Sequence, residues 1–186
     1  MSVAHHRSKQ PEQLRAQLLD VAISIIVENG YEALTLDKVA KRAGVSKGGL
    51  QYHFASKAAL MDAVCDALCQ MYAPIFDAAL AEESEGPSRI TRAYIRVSFT
   101  DLDPLCTKAM LILTLAMPEF ARKHGEWLTE LMAQDEANAP ELVQILLLCR
   151  LAADGFWLAT TSNALQFDAS TRIALRNRLL SLTEAA

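Results

Sequence analysis

No stretch of this chain alternates apolar, β-branched residues with polar ones between turn signals, so strand structure is not expected. P-loop, GxGxxG, GxSxG and HExxH patterns are also missing, and the four histidines make no legible nucleophile–base pair. The chain therefore does not read as an enzyme, and no cofactor is expected. Without a CxxC or a paired His, a metal set is not expected either. Cys65, Cys69, Cys106 and Cys149 sit in hydrophobic surroundings, without the dense spacing of a secreted disulfide framework. The start, Met1–Pro11, is polar and carries His5, His6, Arg7 and Lys9, which argues against a signal peptide. Ala109–Met117 and Leu142–Ala153 are the most apolar stretches and read as too short or too interrupted to span a bilayer. The expectation is a cytoplasmic protein with no membrane partner. Repeats and low-complexity tracts are absent.

Hydrophobic residues make up 52% of the 186, enough to exclude a mainly disordered chain. The net charge of −4 hides an asymmetry. Residues 1–60 carry eight Lys/Arg against five Asp/Glu, whereas residues 61–186 carry ten against seventeen. Positive charge is concentrated in the first third, where a polyanion would be met.

Helical periodicity recurs throughout. Leu14, Leu18, Val21, Ala22, Ile25 and Ile26 form one apolar stripe, so a first helix is expected over Pro11–Glu28, stopped by Asn29-Gly30. Thr35 suits the N-cap of a second helix, ended by Gly44. Ser46 suits the cap of a third, over Lys47–His53, and Ser56 that of a long fourth, over Lys57–Leu80, with Pro74 inside it. Gly86-Pro87 marks a loop. Further helices are expected at Ser88–Thr100, Pro104–Ala116, Glu119–Ala133, Pro140–Leu165 and Ser170–Thr183. The fold class is all-α, with about nine helices.

Leu34–Leu60 reads LTLDKVAKRAGVSKGGLQYHFASKAAL. Two short helices flank the tight turn Ala43-Gly44-Val45-Ser46, as a helix-turn-helix requires. The second would enter the major groove with Lys47, Gly48, Gln51 and Tyr52 on its polar side. Gln51 offers an amide pair to an adenine edge. Lys47, Tyr52, His53 and Lys57 suit phosphates. Gly48 and Gly49 are poor helix formers, which makes sense if a bulkier side chain would hold the backbone away from DNA. Phe54 reads as core, and Lys41 and Arg42 as a solvated face.

The ordered set Ala22, Gly30-Tyr31, Thr35 through Gly44-Val45-Ser46, Leu50-Gln51-Tyr52-His53-Phe54, Ser56-Lys57 and Leu60 resembles the TetR family of transcriptional regulators. That resemblance covers about Leu14 to Val64. It implies an N-terminal three-helix DNA-binding domain over residues 10–70 and a C-terminal domain for effector binding and dimerisation over 71–186. It further implies phosphate contacts by Thr35, Tyr52, His53 and Lys57, and base-edge positions for Lys47, Gly48 and Gln51, with Ser46 beside them. Lys38 would reach the backbone, and an arm with Arg7 and Lys9 the minor groove. The implied partners are double-stranded operator DNA, a second copy of the chain and a small-molecule effector.

Two reading heads must sit 34–36 Å apart to reach successive major-groove faces, which requires a dimer. Leu142–Ala153 is apolar nearly all around the helix, as expected of one buried on two sides. Leu142, Ile145, Leu146 and Cys149, with Ile173, Leu175, Leu179 and Leu180 of the final helix, are the expected interface. Phe76, Tyr94, Phe99, Met110, Leu113, Trp127, Met132, Phe156 and Trp157 are candidate walls of a pocket for a mostly hydrophobic effector. The expected activity is that of a repressor released from DNA when effector favours a conformation with wrongly spaced heads. Two alternatives remain at this point: a redox regulator sensing through Cys65 and Cys69, four apart on one helix face, and a helical interaction protein that does not bind DNA.

Overall fold

The computed structural model describes residues 4–138 and 140–184, with side chains from Pro11 onward. Among these residues there are nine α-helices and no strand: α1 Ala4–Asn29, α2 Leu36–Ala43, α3 Lys47–His53, α4 Lys57–Glu82, α5 Arg89–Ser98, α6 Pro104–Ala116, α7 Pro118–Asn138, α8 Val143–Thr161 and α9 Ala169–Leu182. Short 3₁₀ turns lie at Tyr31–Ala33 and Pro140–Leu142.

The helix boundaries follow local chemistry. Thr35, Ser46 and Ser56 each accept a hydrogen bond from the backbone N–H three residues on, at 3.2, 3.0 and 3.1 Å. Each such cap stabilises its helix by about 1 kcal/mol. Gly44 (φ 71°) ends α2 in the left-handed region, with Val45 N–H bonded to Ala40 C=O and Gly44 N–H to Lys41 C=O. That paired closure needs a residue without a Cβ penalty, and glycine supplies it.

Three expected helices have their bounds corrected. α1 begins at Ala4 rather than Pro11, and Pro11 lies inside it. The arm expected to carry Arg7 and Lys9 is thus helical backbone, and those two side chains lie outside the described residues. α7 runs to Asn138, past the expected stop at Ala133, because Asp135 is buried as a tertiary acceptor. Its carboxylate accepts from Ile90 N, Thr91 N and Thr91 Oγ1 at 3.2, 2.7 and 2.7 Å, tying α7 to the first turn of α5. The 140–165 segment starts as a 3₁₀ turn and ends at Thr161, where Asn163 takes a positive φ of 57°. Finally, Lys57–Glu82 and Pro140–Thr161 are long and apolar enough by composition to cross a membrane, which shorter windows did not reveal. Both are walls of the packed bundle: α4 buries Leu60, Val64, Leu68 and Phe76, while Asp62, Asp66 and Asp77 are exposed.

Two cores organise the molecule. The first gathers Leu18, Ala22 and Ile26 of α1, Val39 of α2, Leu50 of α3, Phe54, and Leu60, Val64 and Leu68 of α4. It also includes Ala109, Met110 and Leu113 of α6 and Phe120 of α7. The N-terminal head is thereby packed directly onto α6. Each fully buried leucine contributes about 2 kcal/mol by leaving water. The second core joins α5, α7 and α8 around Phe76, Tyr94, Ile95, Phe99, Cys149 and Phe156, with Phe99 and Phe156 stacked at 3.8 Å. Buried Glu83 pins the end of α4 to α5 by accepting from Arg92 Nε at 2.7 Å and from Arg96. Burial opposes ionisation of Glu83, but the two arginine bonds outweigh it and hold its pKa below the ordinary value.

Candidate nucleic-acid interface and effector cavities

In α3 only Leu50 is buried, anchoring the helix on the first core. Lys47, Gly48, Gln51 and Tyr52 are exposed on the side turned away from it, at one-turn spacing. Tyr52 is the most exposed of the large hydrophobic side chains among the described residues, at 82%. A Cβ built on Gly48 meets nothing within 4 Å, so no contact inside the protein explains the missing side chain. Thr35, Lys38 and Ser46 are exposed nearby in sequence, whereas His53 and Lys57 are half-buried.

Two cations of this face are held in place. Lys47 Nζ lies 3.0 Å from Asp37 Oδ1, linking α3 to α2. Both partners are well exposed, so this pair is worth at most about 1 kcal/mol and a phosphate can replace Asp37 cheaply. Lys57 Nζ lies 4.9 Å from the centroid of the Tyr31 ring and 3.5 Å from Glu32 C=O. Arg42, read from sequence as solvated, makes a two-pronged bond to Glu28 at 2.5 Å and locks α2 against the end of α1.

The body of the molecule holds two neighbouring cavities. The first, about 430 Å³, lies between α4 and α6–α7. Its α4 wall is a stripe at helical spacing: Asp62, Cys65, Asp66, Cys69, Tyr72 and Ala73. Opposite stand Met117, Glu119, Phe120, Lys123, His124 and Trp127. The second, about 390 Å³, opens to solvent between α5, α6, α7 and α8, with Tyr94, Ser98, Thr114, Trp157 and the exposed Asp154 on its wall. Tyr72, Met110 and His124 line both.

Of the expected pocket residues, Tyr94, Met110, Trp127 and Trp157 do line these cavities. Phe76, Leu113, Met132 and Phe156 line neither and are packed core. Phe99 borders a separate hollow of about 330 Å³ against α9. Their apolar periodicity reflects burial, which sequence does not separate from a cavity wall. Tyr72, His124 and Asp154 were missed; Cys65 and Cys69 on one face of α4 lead on to Tyr72, while no sequence signal points to His124 or Asp154.

Carboxylates outnumber cations on the cavity walls, where Lys123 of the first cavity is the one Lys or Arg among the lining residues of the two. Burial raises the pKa of both Tyr72 and Tyr94, and the Asp154 carboxylate raises it further. Tyr94 donates its hydroxyl hydrogen to Asp154. Burial pushes the Cys65 thiol up to about 11, helped by Cys69, Asp62 and Asp66. A sensing thiolate needs the opposite, so the redox reading through Cys65 and Cys69 has no support.

The expected dimer residues divide. Leu142, Leu146 and Cys149 are buried within the chain's own cores, and Ile145, Leu179 and Leu180 are half-buried against them. For Leu142, Leu146 and Cys149 this burial is against the chain's own helices rather than on an outer face. Ile173 and Leu175 are exposed, as are Leu147, Leu148, Leu151 and Leu158 of α8.

The comparisons agree with this architecture. The family model for bacterial regulatory proteins of the tetR family matches residues 18–64. That for the tetracyclin repressor-like C-terminal domain matches residues 88–184. The HTH-type transcriptional regulator TtgR of Pseudomonas putida is 28% identical over 94 residues, 50% of this chain and 45% of that protein. The HTH-type transcriptional activator FasR of Mycolicibacterium smegmatis is 47% identical over 53 residues, 28% of this chain and 24% of that protein. The chain spans less than half the length of these curated relatives in the matched regions. A crystal structure of a transcriptional regulator from Pseudomonas aeruginosa PAO1 superposes with a TM-score of 0.71 at 21% identity, covering 95% of this chain and 93% of the other, and shares its fold. With its head matched by one family model and more than half its length by the other, the chain belongs to the TetR family of bacterial regulatory proteins.

Proposed function

We propose that this protein is a dimeric, cytoplasmic transcriptional repressor that binds operator DNA through residues 10–70 and leaves it when residues 71–186 take up a small effector. The observation that carries the DNA reading is the α3 face: Tyr52 and Gln51 project into solvent, and Gly48 leaves the backbone open to close approach. In this reading Lys47, Gly48 and Gln51 meet base edges with Ser46 beside them, Thr35, Tyr52, His53 and Lys57 position each head on phosphates, and Lys38 reaches toward the backbone from α2.

The dimer proposal rests on exposed apolar surface. Leu147, Leu148, Leu151 and Leu158 on α8, with Ile173 and Leu175 on α9, are apolar side chains a monomer would leave in water. A second copy laying the same two helices against them would bury the patch and fix the spacing of the heads.

Release follows from how the cavities adjoin the head. α4 begins under α3 at Lys57 and lines the first cavity through Tyr72, a helix of about 39 Å in all. Met110 of α6 lines both cavities and belongs to the head's own core. An effector that parts α4 from α6 and α7 would change the setting of the head on both helices. It would shift the equilibrium by its preference for that arrangement.

Gel-shift titration against DNA upstream of the protein's own gene tests the proposal. About eight phosphate contacts per dimer give a slope of log affinity against log salt of about −7. A flat salt response would overturn the DNA reading.

A further inference from the structure

We infer that the effector is an organic cation with aromatic or other apolar bulk, and that Asp154, on the wall of the second cavity, is the counter-charge for it. This deepens the effector reading above and rests on it.

The argument begins with the charges on the cavity walls. The second cavity carries Asp154 and no Lys or Arg among its lining residues. Among the described residues Asp154 has no ion-pair partner; its one hydrogen bond is the hydroxyl of Tyr94 to Oδ1, which leaves Oδ2 uncommitted. In the first cavity Glu119 is bonded to Arg122 at 2.7 Å and lies 4.0 Å from Lys123, whereas Asp62 and Asp66 have no ion pair among the described residues. The second cavity therefore presents a carboxylate and no Lys or Arg, and the first presents Asp62, Asp66 and Glu119 against Lys123 alone.

The remaining wall suits the same ligand. Tyr72 meets Trp127 edge to face, and His124 stacks beside Trp127 at 5.9 Å. Tyr94 and Trp157 border the second cavity. Ring faces attract a cation through their quadrupoles, most strongly when water is excluded. An anion would meet the same faces and carboxylates unfavourably, and a neutral ligand would leave Asp154, which is exposed, to the Tyr94 hydroxyl and solvent with its charge unmatched. The Tyr94 hydroxyl holds Asp154 in one orientation, so the acceptor is set before the ligand arrives. Burial lowers the pKa of His124, while Asp154 opposes that shift. The neutral ring adds no competing positive charge to the cavity.

Tetraphenylphosphonium and tetraphenylborate test this directly, since they share size and shape and differ in the sign of charge. Binding to the full-length protein is read from the fluorescence of Trp127 and Trp157, and DNA release in a separate gel shift. Tetraphenylphosphonium should bind at least about tenfold more tightly than tetraphenylborate, and Asp154→Asn should remove most of that preference. Tyr94→Phe should keep a preference for the cation, because the carboxylate remains. Equal binding of the two ions by the wild-type protein would overturn the inference even if Asp154→Asn failed to fold, and so would failure of both to bind. An unchanged preference in folded Asp154→Asn would overturn the assignment of Asp154. If tetraphenylborate binds equally and releases DNA, effector control stands and the charge class fails. If the cation binds through Asp154 without releasing DNA, the charge class stands and effector control fails.

Discussion

Tyr72 and Trp127 meet edge to face across the gap between α4 and α7, with ring centroids 6.0 Å apart and planes at 87°. The contact closes one end of the first cavity, and Phe76 supports it from α4 with its own edge contact to Trp127 at 5.8 Å. It is the place where the helix leading to the head touches the opposite wall. Such aromatic pairs add about 1 kcal/mol beyond the area they bury. A double-mutant cycle with Tyr72→Leu and Trp127→Leu, measured by urea unfolding, should therefore give a coupling of about 1 kcal/mol. Additive effects would mean that the rings merely share a neighbourhood.

Gly48→Ala separates folding from DNA contact. The added methyl meets nothing within 4 Å, and alanine is the better helix former by about 1 kcal/mol. The variant should melt a few degrees higher than wild type. Its operator affinity should fall about tenfold or more, because the methyl would stand between the helix and the groove. A variant that gains stability and keeps its affinity would show that α3 does not approach DNA at this position.

Gln51 and Tyr52 are neighbours with different expected tasks. Tyr52→Phe should weaken every duplex by a similar factor, about fivefold for a lost phosphate hydrogen bond in each head. Gln51→Ala should change the order of preference among operator variants, by about 1–3 kcal/mol at the base pair it reads. Binding measured across a panel of single-base operator variants distinguishes the two patterns.

Much of the head was legible in the sequence because its signals are local. Thr35, Ser46 and Ser56 each announce a cap that depends on residues three positions away, and Gly44 marks a turn with few alternatives. The body was legible only as helices. Whether Phe156 or Trp157 borders a cavity depends on what α5 and α7 bring against α8, and periodicity carries no information about that. Asp135 illustrates the same limit from the polar side. It reads as a surface acid near a helix end, yet it is buried because Ile90 and Thr91, more than forty residues earlier, place N–H groups against it. Leu142, Leu146 and Cys149 show a related limit: a helix apolar nearly all around has one face on its own core and another left exposed, and the sequence does not say which is which.

Leu148 and Leu151 test the outer face of α8. They are 61% and 57% exposed and make no part of either core. Leu148→Asp with Leu151→Asp should leave the helical content unchanged but convert the dimer to monomer at micromolar concentration in sedimentation analysis. Operator affinity should fall by about a hundredfold or more, since each head would then bind alone. The buried neighbour Leu146 provides the contrast: Leu146→Ala should cost about 3 kcal/mol of stability through the cavity it leaves.

His124 gives the fold a pH dependence whose sign is fixed. It stacks between Phe120, at 6.5 Å, and Trp127, at 5.9 Å, on the wall shared by both cavities. Burial lowers its pKa, and the opposing pull of Asp154 does not restore it. An unfolded histidine titrates near 6.5, so below that value the unfolded chain takes up a proton before the native one does. Stability consequently falls as pH drops through and below about 6.5, and this loss levels off once the native imidazole is also protonated. In His124→Gln that contribution is absent, while the other groups titrate as before. The melting temperature of the variant minus that of the wild type should be constant above about pH 7.5 and move in the variant's favour as pH falls toward 5. A difference that stays level across the whole range would show that the imidazole binds protons equally well in both states, and so that the packing around it leaves it open to water.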